Sequence, residues 1–105
     1  MPGISEDEKV KLAEEISKQL TNVGRTEWKT WANYAASKGL EKALEFALTL
    51  SRSPTLRPRQ KNAYKTIHNT MKNFKNKIEK LPEKNQQQVL GYVERWIIAR
   101  KAHHR

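Results

Sequence analysis

The 105-residue sequence contains no cysteine, which excludes disulfide bonds and thiolate metal sites. It also lacks any apolar run near the roughly 18 residues that a membrane-spanning helix needs. Its first residues, MPGISEDEKVKL, are acidic and do not contain the apolar centre of a secretory signal. From these absences we expect a soluble cytoplasmic protein, free or held in a nucleoid or nucleoprotein complex.

Motifs that carry catalysis are missing as well. The four glycines are scattered along the chain, so no glycine-rich phosphate loop is present, and neither a G-x-S-x-G nor an H-E-x-x-H motif occurs. His68 stands alone in its segment, and the pair His103 and His104 is a weak metal-binding pattern. The acids at the start of the chain are explained by helix capping. We therefore expect no enzyme activity, no cofactor and no metal.

Apolar residues recur at intervals of three and four, the period of an α-helix, and no segment has the alternating period of a strand. Residues typical of helix ends divide this pattern into five predicted helices, over residues 6–21, 26–39, 40–51, 58–81 and 83–102. A chain of this length folds as one domain. The prediction is a single all-α bundle over 1–105, with frayed residues 1–5 and 102–105 and a loop over 51–57.

Capping residues mark several of these helix ends. Ser5 is followed three residues later by Glu8, the spacing of a capping box. Thr26 is the predicted N-cap of the second helix, and Gly39 is its predicted stop, as in a Schellman motif. Gly91 lies inside the fifth helix, where it costs about 1 kcal/mol relative to Ala, and it predicts a close helix crossing.

Charge is distributed unevenly along the chain, whose net charge is +10. Residues 1–51 contain eight acidic and seven basic residues, whereas residues 52–105 contain three acidic and fourteen basic residues. Like charges that are held together in a compact fold repel one another and lower its stability. The basic second half therefore indicates an anionic partner, and a clustered basic surface is typical of nucleic-acid-binding proteins.

The fourth predicted helix, long and strongly basic, carries two patterns at once. Its apolar residues follow the a/d spacing of a heptad repeat: Tyr64, Ile67, Met71, Phe74, Ile78 and Leu81. Its opposite face carries Arg, Lys and Asn over about 30 Å. A solvated helix face usually mixes charges of both signs, so this face predicts a surface for phosphates, on which Asn and Arg can also bond base edges.

The predicted nucleic-acid-binding residues come from this helix, from the loop before it and from the last helix. They are Arg52, Arg57, Arg59, Lys61, Lys65, Asn69, Lys72, Lys75, Lys80, Arg95 and Arg100. The partner is predicted to be DNA or RNA, bound with little dependence on sequence, and the pattern does not choose between the two.

Other functions are compatible with the same sequence. The basic face could dock an acidic protein, or the heptad seam could make the chain a homo-oligomer or an adaptor subunit of a larger assembly. Binding to a membrane is disfavoured, because Asn and Thr dominate the polar face. A helix-turn-helix around Gly39 is disfavoured too, because the helix after it carries Glu41 and Glu45, which phosphates repel. The tryptophans could stack on bases, but they lie on apolar stripes and are predicted to be core residues.

Overall fold

The structure, a computed structural model, describes the backbone of residues 5–103 and the side chains of residues 5–100. Five helices follow one another: α1 (Glu6–Lys18), α2 (Arg25–Lys38), α3 (Leu40–Ser51), α4 (Pro58–Glu79) and α5 (Glu83–His103). The predicted all-α fold with a long fourth helix is thereby confirmed. The fraying predicted for residues 1–5 and 102–105 falls mostly outside the described residues. Ser5 caps α1, and α5 continues through His103.

Short polar contacts set where the helices begin. The Ser5 hydroxyl accepts a hydrogen bond from the Glu8 amide at 3.2 Å, which confirms the predicted N-cap of α1. At α2 the prediction of Thr26 as N-cap is wrong, because Gly24 holds that position. The Gly24 amide donates to the Glu27 carboxylate at 3.1 Å, so the helix begins at Arg25.

A single residue, Gly39, joins α2 to α3. Its φ of 95° is the one positive φ among the described residues, and its ψ of 161° lies far from the left-handed helical region. The predicted stop is confirmed, but the Schellman geometry is wrong, because the chain turns through an extended glycine conformation directly into α3. Leu40 follows at once and is buried in the core.

The core is built where the helices face one another in two main pairs. α1 packs mainly against α5, α3 packs mainly against α4, and α2 contacts α3, α4 and α5. Two fully buried tryptophans on α2 tie these pairs together through their indole N–H groups. Trp28 donates to the Leu90 carbonyl of α5 at 3.0 Å, and Trp31 donates to the Ala43 carbonyl of α3 at 2.7 Å. None of the described helices is long and apolar enough to cross a membrane.

The apolar seam of α4 lies inside this core. Five of the six predicted seam residues are buried, namely Tyr64, Ile67, Met71, Phe74 and Ile78, and Leu81 is half-buried beyond the helix end. Burial raises the pKa of the Tyr64 phenol. Because the seam packs within the chain, it is not available to pair with a second helix.

Gly91 does not serve a close helix crossing, and that prediction is wrong. It is exposed, and a Cβ atom built on it would meet no neighbouring atom within 4 Å. The residue therefore weakens α5 without a packing role in the described part of the fold.

The two glycines should respond in opposite directions to alanine. We expect Gly91→Ala to raise the free energy of unfolding by about 1 kcal/mol, because alanine restricts the unfolded chain and meets no obstacle in the helix. Gly39→Ala should lower it by about 1–3 kcal/mol, because an L side chain is strained at a positive φ with extended ψ. Urea denaturation followed by circular dichroism measures both. A stabilising Gly39→Ala would contradict the described turn.

Candidate nucleic-acid interface

The outward side of α4 carries eight exposed polar residues in one continuous strip. We call this strip the α4 basic face, and its members are Arg59, Asn62, Lys65, Asn69, Lys72, Asn73, Asn76 and Lys80. They project from the side opposite the buried seam, because residues three, four and seven apart share one side of a helix. By the same spacing, the exposed acid Glu79 follows Lys65 and Lys72 at the C-terminal end of this side, where its carboxylate pairs with Lys75. The strip is about 30 Å long at 1.5 Å per residue.

Four cations on this face have no carboxylate partner among the described side chains: Arg59, Lys65, Lys72 and Lys80. The neighbouring lysines differ. Lys75, which is half-buried, lies 3.5 Å from the Glu79 carboxylate, and Lys77 lies 4.0 Å from Glu15 of α1 and over the Phe74 ring. Lys61 is also half-buried. The unneutralised charge is therefore concentrated on the outermost line of the helix.

Among the described side chains, no acid of α1 forms an ion pair with the α4 basic face, and Glu15 reaches only the neighbouring Lys77. The Glu6 carboxylate accepts hydrogen bonds from the Lys9 ammonium at 2.7 Å and from the Tyr92 phenol of α5. The hydrogen bond from Lys9, and next the one from Tyr92, lower the pKa of Glu6. The hydrogen bond between Tyr92 and Glu6 raises the pKa of the Tyr92 phenol. This cluster lies where α1 packs against α5.

The loop before α4 adds further basic residues. Arg52 ends α3 and Arg57 is the N-cap of α4, and both are exposed. Arg57 and Arg59 line an open cleft together with Arg25 and the acid Glu27 of α2. Arg25 is bonded to Glu94 at 3.2 Å. The α4 basic face thus continues at its N-terminal end into a cleft beside the start of α2, which the sequence analysis did not predict because the contact joins residues distant in the chain.

The two predicted residues on α5 are placed apart from this face. Arg95 is exposed and its guanidinium lies 5.6 Å from the centre of the Tyr92 ring. Arg100 is half-buried, and its guanidinium donates to the Ser17 and Leu20 carbonyls at 2.5 and 3.2 Å. These are carbonyls at the C-terminal end of α1, where a cation is favoured. Arg100 thus has a structural role, and neither residue adjoins the strip on α4.

The sequence pattern did not predict that one cation, Lys9, is buried. Lys9 is only 6% exposed, and its ammonium donates to Glu6 and to the Gln88 side chain, both at 2.7 Å. A charged group can be buried when it is paired and hydrogen-bonded. The i,i+3 spacing of Glu6 and Lys9 is a signal that could have predicted this pairing.

The aromatic side chains lie in the core or at its edge. Trp28 and Trp31 are fully buried, which confirms their prediction as core residues, and Trp96 is half-buried. Tyr34 stacks on Phe46 with ring centres 4.1 Å apart. No aromatic residue is exposed on the described surface of α4, so the α4 basic face has no platform for base stacking.

In the part of the chain that the structure describes, these features define an all-α fold of five helices, with four exposed cations on α4 that have no carboxylate partner. Comparisons of the chain with protein-family models, with curated proteins and with solved structures found no match.

Proposed function

We propose that this protein binds nucleic acid without catalysis, through phosphate contacts made by the α4 basic face. The observation that carries the proposal is the set of four exposed cations, Arg59, Lys65, Lys72 and Lys80, which have no carboxylate partner along about 30 Å of one helix. Unpaired exposed lysines also occur on other helices, such as Lys29 and Lys42, so the distinguishing feature of α4 is that its unpaired cations follow one another along a single side of the helix.

Phosphodiester oxygens suit such a strip physically. Each lysine offers a compact charge for one phosphate, and Arg59 offers a planar group that can bond a phosphate in two places. Neutralising the strip also relieves the mutual repulsion of its charges. Arg52 and Arg57 lie next to its N-terminal end and extend the surface, whereas Lys61 and Lys75 border it from a half-buried position.

A salt series tests the proposal. Fluorescence anisotropy with labelled duplex DNA, single-stranded DNA and RNA should show binding whose log affinity falls linearly with log salt. Four phosphate contacts predict a slope of about −3.6 on duplex DNA. A raised absorbance ratio at 260 nm in freshly purified protein would agree with retained nucleic acid. Affinity that does not change with salt, or no binding to any of the three probes at 50 mM salt, would overturn the proposal in favour of an acidic protein partner.

A further inference from the structure

The centre of the α4 basic face consists of asparagines. Asn62, Asn69 and Asn76 are spaced by seven residues, so they form a column with about 10.5 Å between successive members, which turns by about 20° around the helix at each step. Asn73 adjoins the column one turn from Asn69. All four side chains are exposed, and none has a hydrogen-bond partner among the described residues.

The fold does not explain this column. Asparagine is a poor helix former in an exposed interior position, because its side chain competes with the backbone for hydrogen bonds. Lysine or glutamate would serve solubility equally well and would favour the helix. Four solvent-exposed amides in the middle of a surface flanked by cations are instead groups that can exchange water for a ligand.

The cations lie on both sides of the asparagine column. Lys65 and Lys72 border it on one side, which ends at Glu79, an acid paired with Lys75. Arg59 and Lys80 border it on the other side. A bound polyanion that contacts both sets of cations must place its phosphates at the two edges of the helix. The part of the ligand between the phosphates then lies opposite the asparagines. When the helix lies in a groove of a duplex, the base edges are the part of the ligand that faces the asparagines.

We propose that α4 lies in the major groove of B-form duplex DNA, with the asparagine column toward adenine edges and the flanking cations on phosphates of the two strands. This inference rests on the proposed function and deepens it. The major groove of B-DNA is about 12 Å wide and admits an α-helix, and the asparagine amide pairs in two places with N6 and N7 of adenine.

Two competing ligands fit the surface less well. Single strands are held by stacking of bases on exposed aromatic rings, and the described surface of α4 has none, since Tyr64 and Phe74 are buried. Duplex RNA has a deep and narrow major groove that side chains cannot read. Both are useful as probes, because either one would bind more tightly than duplex DNA if it were the true ligand.

The test uses the whole protein and labelled 24-base-pair duplexes that differ only in their central base pairs. We expect an A·T centre to bind about tenfold more tightly than a G·C centre at 100 mM salt. Inosine·cytosine has the major-groove edge of G·C and a minor-groove edge like that of A·T. It should therefore bind as weakly as G·C. Binding of inosine·cytosine as tight as that of A·T would place the contacts in the minor groove and overturn the inference.

Variants separate base contacts from phosphate contacts. The triple change Asn62→Ala/Asn69→Ala/Asn76→Ala should abolish the A·T preference and leave the salt slope unchanged. It should not lower the melting temperature, since alanine is the better helix former. Asn33→Ala, an exposed asparagine on α2, is the matched control and should keep the preference.

The possible failures are distinguishable. A triple variant that keeps the full preference would overturn the inference. Single-stranded DNA or duplex RNA bound as tightly as duplex DNA would also overturn it, but would leave the proposed function standing. No salt-dependent binding to any probe would overturn both.

Discussion

Replacing Lys65 and Lys72 by glutamate is expected to weaken the binding of duplex DNA about 100-fold at 100 mM salt. Each phosphate contact contributes about 0.9 to the slope of log affinity against log salt, so the loss of two contacts lowers the slope by about 1.8. If the two contacts contribute nothing at 1 M salt, a slope difference of 1.8 gives an affinity about 60-fold lower at 0.1 M salt. Repulsion between the new carboxylates and the phosphates accounts for the rest.

The fold should tolerate this double change. Both lysines are exposed, and neither is paired with a carboxylate among the described side chains, so no structural contact is lost. Surface substitutions of this kind change the free energy of unfolding by about 0.5 kcal/mol or less. Circular dichroism should therefore show an unchanged spectrum and a similar melting temperature.

A second double variant controls for net charge. Lys29→Glu/Lys42→Glu makes the same change in total charge at exposed positions on α2 and α3. We expect it to weaken binding only a few-fold through the overall field of the protein. Equal losses in the two double variants, measured by anisotropy on one duplex, would contradict a site on α4 and indicate attraction by net charge alone.

The helix pattern and the α4 surface could be predicted because they depend on contacts that are close in sequence. A three-to-four spacing of apolar residues predicts which side of a helix is buried, and on α4 the register from Tyr64 to Ile78 is confirmed by burial. The exposed positions of Lys65 and Lys72 follow from the same register, since they lie on the side opposite the seam.

Features that depend on distant contacts could not be predicted in the same way. The apolar period of the first helix continues to Leu20, and the sequence therefore predicts a helix to residue 21. In the structure α1 ends at Lys18, and Leu20 lies in the following turn, where its side chain is still buried in the core. Arg100 bonds the end of α1 across 80 or more residues, and no local pattern distinguishes it from a free surface arginine. The separation of Arg95 from the α4 basic face has the same origin: α5 packs mainly against α1 and α2.

Replacing Trp31 by alanine should produce the largest loss of stability, about 3–5 kcal/mol. Trp31 is fully buried, its ring centre lies 5.2 Å from that of Trp28, and its indole N–H bonds the Ala43 carbonyl of α3. The substitution leaves a cavity where α2 packs against α3 and removes that cross-helix bond. Small domains are stable by only about 5–15 kcal/mol, so the variant should be partly unfolded at physiological temperature.

Trp31→Phe separates the loss of volume from the loss of the hydrogen bond. Phenylalanine keeps an aromatic ring in the core, and the Ala43 carbonyl can still accept its bond within α3, so no buried acceptor is orphaned. We expect a cost of about 1–2 kcal/mol. Trp96→Phe, the same change at a half-buried site, is the matched control and should cost less than about 1 kcal/mol. Urea denaturation followed by circular dichroism measures the free energy of unfolding of all three variants. A Trp31→Ala protein whose free energy of unfolding lies within about 1 kcal/mol of the wild-type value would contradict the burial of this tryptophan in the core.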